Sequence, residues 1–97
     1  MAIRKHIDWD PAKNIWLKKV RYICFDDILP VLQEEGYDAI LPHPNQKRYP
    51  NQKIYVLTFA NYVYLVPFVE DEDKIFLKTI FPSRKANKIY SSKNIKK

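Results

Sequence analysis

The chain has 97 residues, a size at which one domain can bury a modest core without disulfides or metals, so we expect a single domain over 1–97. Seventeen lysines and arginines against 11 aspartates and glutamates give a net charge of +6, which favours an anionic partner such as nucleic acid. A single cysteine excludes an internal disulfide, and a single glycine excludes a P-loop or a dinucleotide fingerprint. With two histidines far apart in sequence, neither a metal nor a cofactor is expected.

The distribution of apolar residues and charges indicates where the protein acts. No apolar run approaches the roughly 20 residues of a membrane span, and the N-terminus lacks the apolar segment of a signal peptide. We therefore expect a cytoplasmic protein without a membrane partner.

The sequence has no acidic residue after Asp73, so its positive charge is concentrated near the C-terminus. The last five residues, 93–97, are expected to form a disordered tail.

Two short helices are predicted after an extended segment at the N-terminus. Asp10 is suited to cap the first helix, with Pro11 at the first helical position, where a missing N–H costs nothing. The second helix follows the same pattern, with an acidic pair near its start and Gly36 as its stop. Pro30 is expected in the first turn of this helix, because it would break the helix farther along.

From residue 38 onward the sequence favours strands. Ala60 and Asn61 predict a tight hairpin, Pro67 predicts a bulge or an unpaired position in its strand, and Ser83 is suited to cap a closing helix. The four predicted strands are "DAILP", "KIYVLTF", "YVYLVPFV" and "KIFLKTIF". We predict an α+β fold in which an antiparallel sheet of about four strands carries two N-terminal helices and a C-terminal helix on one side.

The residue types present suit metal-independent cleavage of RNA. RNA supplies its own nucleophile, the 2'-hydroxyl, so cleavage needs a base, a positive charge on the phosphorane and an acid for the leaving oxygen. Arg84, at the start of the predicted closing helix, is a candidate for binding phosphate through its guanidinium fork. A lysine crowded by other cations can act as the base. The predicted catalytic residues are Arg84, Lys53 and Lys78.

The stretch "HPNQKRYPNQKIY", residues 43–55, predicts a basic loop that leads into a strand. Its cations can hold a phosphate chain, and tyrosine rings can stack on bases. A plain exposed connector fits this loop equally well. The predicted RNA-binding residues, from this stretch and the C-terminal segment, are Lys47, Arg48, Tyr49, Tyr55, Lys85 and Lys88.

Three short segments resemble one known family. They are "WDPAKN" at Trp9–Asn14, Phe25–Asp26 after the first helix, and "IFPSRKA" at Ile80–Ala86. The sequence resembles the BrnT-like toxins of bacterial type II toxin-antitoxin pairs, whose fold is similar to that of RelE ribonucleases. The resemblance covers residues 7–90.

This resemblance implies an endoribonuclease toxin that inhibits translation and is neutralised by a cognate antitoxin, often a ribbon-helix-helix or similar DNA-binding protein. Operator DNA would then be bound only through the antitoxin. The resemblance carries over Arg84 most directly and gives Trp9 and Asp10 structural roles, whereas Lys53 and Lys78 come from chemical reasoning. Two alternatives stay open: a basic RNA- or DNA-binding module without chemistry, and a small protein whose basic face binds only an acidic partner.

Overall fold

The computed structural model describes residues 5–91, and the tail predicted at 93–97 lies outside them. Within this range the helices are α1 (Pro11–Val20), α2 (Phe25–Gln33) and α3 (Arg84–Ala86), which continues into a π-helical turn at Asn87–Ser91. The strands are β1 (His6–Trp9), β2 (Ala39–Pro42), β3 (Gln52–Phe59), β4 (Tyr62–Glu70), β5 (Lys74–Leu77) and β6 (Phe81–Pro82). No helix among the described residues has the length and apolar character needed to cross a membrane.

The strands form one mixed sheet in the order β1-β5-β4-β3-β2, and β6 pairs with β4 beside β5. β1 runs parallel to β5, and the other pairs are antiparallel. The predicted α+β class is confirmed, but the predicted antiparallel layout of about four strands is wrong. The reason is that β1 has only four residues, too few to show an alternating pattern, and pairs with a strand distant in sequence.

A tight hairpin joins β3 and β4, as predicted. Ala60 and Asn61 have φ angles of 52° and 68°, and positive φ at both central residues is typical of a two-residue hairpin turn. Pairing continues without a bulge from Phe59 opposite Tyr62 to Gln52 opposite Val69. This register fixes which side chains of the two strands share a face.

The predicted strand "KIFLKTIF" is interrupted. β5 ends at Leu77 and β6 begins at Phe81, and their registers with β4 differ by one residue. The Lys78 N–H donates to the Pro67 carbonyl at 2.8 Å. In a strand, the backbone nitrogen and the carbonyl of one residue point to the same side. The Pro67 carbonyl faces the interruption, so the Pro67 nitrogen, which carries no hydrogen, faces it as well. Pro67 pairs with Ile54 of β3 but has no partner in β5 or β6, so the predicted unpaired position is confirmed on that side of β4 only.

Helices cover both faces of the sheet. β3 buries three consecutive residues, Tyr55, Val56 and Leu57, and successive strand residues point to opposite faces. Tyr55 and Leu57 join the main core with residues of α1 and α2, whereas Val56 packs with Val63 and with Ala86 of α3. The prediction that all helices lie on one side is therefore wrong, because a strand buried on both faces needs cover on both.

Side-chain caps begin α1 and α3, as predicted. Asp10 Oδ1 accepts a hydrogen bond from the Ala12 N–H at 3.1 Å, and Pro11 is the first residue of α1. Ser83 Oγ accepts from the Ala86 N–H at 3.1 Å. The closing helix, predicted over "SRKANKIYSSK", begins with the three α-helical residues of α3 and continues as a π-helical turn to Ser91, and residues 92–93 lie outside the described range.

The place predicted for Pro30 in α2 is wrong, whereas the predicted stop at Gly36 is confirmed. Pro30 is the sixth residue of the helix and not in its first turn, so the turn before it lacks one backbone hydrogen bond. The left-handed conformation after the helix lies at Glu35, whose φ is 58°, and not at Gly36. The Gly36 N–H still closes the helix end, because it donates to the Val31 carbonyl at 2.8 Å.

Asn14 connects α1 to the start of α2. Its Oδ1 accepts from the Phe25 N–H at 2.7 Å, and its Nδ2 donates to Asp26 Oδ2 at 3.0 Å. The Trp9 ring stacks on the Phe25 ring, with centroids 5.4 Å apart. The segment Trp9–Asn14 therefore fixes the position of α2 over the sheet.

We expect Asn14→Ala to lower the free energy of unfolding by about 1–3 kcal/mol, because it leaves the N–H of fully buried Phe25 without an acceptor. Urea unfolding followed by circular dichroism would measure the change. Lys18→Ala on the exposed side of α1 is the control, with an expected change within about 0.5 kcal/mol. An equal effect of the two substitutions would show that Asn14 does not hold α2.

Candidate functional site

A cleft of about 910 Å³ lies between α2 and the sheet. Leu29 and Leu32 of α2 contribute to its wall, and Tyr55, Phe68 and Glu70 contribute from the sheet. The β3–β4 register places Lys53 opposite Phe68, so Lys53 and Glu70 lie on the same face as the main core, at its solvent-facing edge. The volume is in the range of cavities that hold small ligands. We call this cavity the Glu70 cleft.

Two lysines bind the carboxylate of Glu70. Lys5 Nζ lies 2.7 Å from Glu70 Oε2, and Lys53 Nζ lies 3.3 Å from Oε1. Lys5 Nζ also donates to the Asp71 carbonyl at 2.7 Å, which fixes its position. Two ammonium groups against one carboxylate leave this cluster with one net positive charge.

The two lysines lower the pKa of Glu70. The hydrogen bond from Lys5 is the largest influence and lowers the pKa of the Glu70 carboxyl, and Lys53 lowers it further. Partial burial acts in the opposite direction and is outweighed. Glu70 is therefore a carboxylate at neutral pH, with a fixed orientation at the edge of the cleft.

Tyr55 adds a protonated hydroxyl group to the cleft lining. Burial is the main cause that raises its pKa to about 12, and the nearby Tyr37 and Glu70 raise it further. Its ring stacks on Phe68, with centroids 4.2 Å apart, and lies 4.9 Å from the ring of Tyr37. Only 6% of Tyr55 is exposed, so its ring is not available for the base stacking that the sequence predicted.

The three predicted catalytic residues do not converge. Lys53 lies in the Glu70 cleft, on the face covered by α1 and α2. Arg84 begins α3, which packs on the opposite face through Ala86. Lys78 is exposed in the interruption between β5 and β6. The sequence could not reveal this separation, because the face that each residue occupies depends on strand register and on where the helices pack.

The C-terminal cations form a separate basic surface beside α3. Arg84, Lys85 and Lys88 are exposed, and no carboxylate of residues 5–91 lies within ion-pair distance of them. Because α3 has only three residues, it gives Arg84 little of the helix dipole that the sequence suggested. These side chains are accessible to a polyanion but are not organised around a cleft.

The basic loop before β3 is folded on itself. The Tyr49 ring lies 4.6 Å from the His43 ring, and the Arg48 guanidinium lies 5.6 Å from the Tyr49 centroid. The Arg48 N–H donates to Asn45 Oδ1 at 3.1 Å. Lys47 and Arg48 stay exposed, whereas Tyr49 is half-buried. The loop thus presents two cations beside the start of β3, with one tyrosine held against His43.

Lys5 and Glu70 are not among the residues predicted from the sequence. Glu70 lies just beyond the predicted strand "YVYLVPFV", in a run of four acidic residues, although alternation along β4 places it on the same face as the buried Val66 and Phe68. That alternation could have identified Glu70. Lys5 carries no such signal, because only the pairing of β1 with β5 brings it to the end of β4.

Neither metal ligation nor similarity identifies this site. Among the residues that the structure describes, no group of three or more His, Cys, Asp or Glu side chains is placed to hold a metal ion. Comparisons with protein-family models, with curated proteins and with solved structures give no match for the chain.

We expect Glu70→Gln to lower the free energy of unfolding at pH ~7 and to have a smaller effect at pH ~3. The pKa of Glu70 in the folded protein is lowered from 4.5, so its stabilisation is fully present above that value. The stabilisation is lost as the pH falls through the folded-state pKa. Urea unfolding of both proteins at each pH would measure the difference.

The control is Glu72→Gln, which removes the same charge from the exposed β4–β5 turn. We expect it to have little effect at neutral pH. An effect of Glu70→Gln that stays constant between pH ~7 and pH ~3 would contradict the ion-pair explanation.

Proposed function

We propose that the protein is a metal-independent endoribonuclease whose reaction takes place in the Glu70 cleft. The observation that carries this proposal is the Glu70 carboxylate, held between Lys5 and Lys53 in a cleft that Tyr55 also lines. RNA cleavage by its own 2'-hydroxyl needs a base, a cation and an acid, and this cluster offers one group for each.

Glu70 is the proposed general base. It accepts the proton of the 2'-hydroxyl as the 2'-oxygen attacks the neighbouring phosphorus. The bond from phosphorus to the 5'-oxygen then breaks, and the Tyr55 hydroxyl donates a proton to the leaving oxygen. The products are a 2',3'-cyclic phosphate and a 5'-hydroxyl, and a proton returns from Glu70 to Tyr55 through water. No metal ion takes part in these steps.

Lys53 is the proposed phosphate ligand. Lys53 already pairs with a carboxylate, and this arrangement suits the binding of phosphate by its cationic group better than the base role for which Lys53 was one candidate. An ammonium group has three donors, and Lys53 uses one of them on Glu70. Its side chain is 46% exposed, so the other two donors can reach a phosphate. Lys5 already uses two donors and mainly positions Glu70.

The wider basic surface would supply affinity for RNA. Contacts to phosphates are largely independent of sequence and weaken with salt. The cations beside α3, in the loop before β3 and between β5 and β6 lie outside the cleft, so in this proposal they bind flanking phosphates. These residues are Lys47, Arg48, Lys78, Arg84, Lys85 and Lys88.

The resemblance to BrnT-like toxins adds a role in the cell to this proposal. Cleavage of RNA would inhibit translation, and a cognate antitoxin would neutralise the protein. The positive net charge of +6 is compatible with an acidic inhibitor as well as with RNA.

A second candidate function is RNA binding without cleavage. It is favoured by the exposed, unpaired cations Arg84, Lys85 and Lys88 within the described chain and by their separation from Lys53. In that case the Glu70 ion pairs have only a structural role. Binding would then depend on Arg84 and not on Glu70.

We expect the purified protein to cleave a labelled RNA in the presence of EDTA and to leave its 2'-deoxy analogue intact. Glu70→Gln should lower the cleavage rate at least about a hundredfold, because it removes the base. Lys53→Ala should also lower the rate, whereas Glu72→Gln should retain it. Gel analysis gives the rates, and circular dichroism checks that each variant is folded.

The possible outcomes separate the two candidates. If the wild-type protein binds RNA but leaves it intact, and Arg84→Ala weakens binding, the non-catalytic module is supported. Equal cleavage by wild type and folded Glu70→Gln would exclude Glu70 as the base. If the protein neither binds nor cleaves RNA, both candidates are wrong.

A further inference from the structure

Helix α1 exposes three apolar side chains along one flank, between the side that carries buried Leu17 and the side opposite it. Its buried residue is Leu17, which has no solvent exposure. Ile15, Trp16 and Val20 are 61%, 40% and 52% exposed. Single exposed apolar residues are common, but here three lie within two turns of one helix. An apolar cluster of this kind marks an interaction site when other features point to a partner.

Tyr22, just after α1, is such a feature. Its φ angle is 58°, a left-handed conformation that favours glycine and costs other residues about 1–2 kcal/mol. Its side chain is 86% exposed and makes no hydrogen bond or aromatic contact with another described residue. The tyrosine therefore costs stability and gains no hydrogen bond or ring contact within residues 5–91. It follows the exposed Val20 by two residues, directly after the end of α1.

The same surface is positively charged. Lys13 Nζ and the Arg21 guanidinium lie 4.4 and 4.9 Å from the centroid of the Trp16 ring. Lys19 is exposed and follows Ile15 by four residues, so the two are neighbours on the helix. α1 contains no acidic residue, and no described carboxylate lies within ion-pair distance of these three cations. We call Lys13, Ile15, Trp16, Lys19, Val20, Arg21 and Tyr22 the α1 surface.

We propose that the α1 surface docks an acidic, amphipathic segment of a partner protein. Apolar side chains of that segment would pack on Ile15, Val20 and Tyr22, and its carboxylates would pair with Lys13, Lys19 and Arg21. Arg21 is positioned for this role, because its guanidinium donates to the Ile80 carbonyl at 2.6 Å. The charge complementarity is what selects an acidic partner.

Two other occupants fit the α1 surface less well. A second copy of this chain would bring identical cations together across a two-fold interface, where like charges repel. RNA would pair with the cations but would leave the aliphatic Ile15 and Val20 without apolar contacts, and cations already lie against the ring of Trp16. A protein segment with acidic and apolar side chains can contact both the cations and the apolar residues of the α1 surface.

This inference does not depend on the proposed ribonuclease activity. The residues that line the Glu70 cleft belong to α2, the sheet and adjoining segments, and none belongs to α1. Substitutions on the α1 surface can therefore be tested without altering the proposed catalytic groups.

The test uses a labelled synthetic peptide of about 15 residues, helical in design, with leucine on one face and glutamate beside it. Its twin has glutamine in place of every glutamate. We expect the acidic peptide to bind the wild-type protein at least about tenfold more tightly than the twin, measured by fluorescence anisotropy. Amide shifts in ¹H–¹⁵N spectra should change at residues 13–22.

Two substitutions test the surface itself. Tyr22→Gly should raise the thermal midpoint of the free protein, because glycine accepts the left-handed conformation, and should weaken peptide binding about fivefold or more. Lys19→Glu should weaken binding about tenfold. Lys47→Glu makes the same change in net charge in an exposed loop away from α1, so it should change peptide binding by less than about threefold.

Several results would overturn the proposal. Equal binding of the two peptides would remove the role of charge, and shift changes confined to the Glu70 cleft would place the contact elsewhere. A lower thermal midpoint for Tyr22→Gly would show that the tyrosine stabilises its own chain. Shifts at residues 13–22 that depend on protein concentration would indicate self-association. Shifts there with a short RNA, and none with the peptide, would indicate a nucleic-acid surface.

Discussion

The unbroken antiparallel pairing of β3 with β4 is the constraint on which the rest of the structure depends. Once the Ala60–Asn61 turn sets the register, Tyr55 and Leu57 must face α1 and α2, and Val56 must face α3. A shift by one residue would exchange the two faces and remove the core. The same register places Lys53 on the core face at its solvent-facing edge, close to Glu70 at the end of β4.

The Glu70 cleft is formed where the buried face of the sheet reaches solvent. Leu32 and Phe68 provide an apolar floor, and the charged groups lie at its edge, where water still reduces the cost of holding them. Ion pairs in such partly exposed positions add little stability. Their main effect is on geometry, because they fix the orientation of the Glu70 carboxylate, and they also lower its pKa.

The first helix serves the fold on one side and leaves the other side free. Leu17 and Asn14 anchor α1 to the core and to α2, and Arg21 reaches the Ile80 carbonyl. The outer residues contribute nothing comparable, and Tyr22 adopts a conformation that works against stability. At this helix end stability alone would favour glycine over Tyr22. Departures of this kind from the most stable residue are expected at binding surfaces.

The sequence by itself determined the elements that depend on neighbouring residues: the caps at Asp10 and Ser83, the hairpin at Ala60–Asn61 and the position without a β5 or β6 partner at Pro67. These signals are local, because turn and cap residues act through their own backbone. Only the tertiary structure decided that β1 joins β5 in parallel, that α3 covers the second face, and that Lys5 meets Glu70 while Arg84 lies apart from Lys53. Those outcomes depend on contacts between residues that are distant in sequence. Such contacts form only in the folded protein, and no local sequence pattern indicates them.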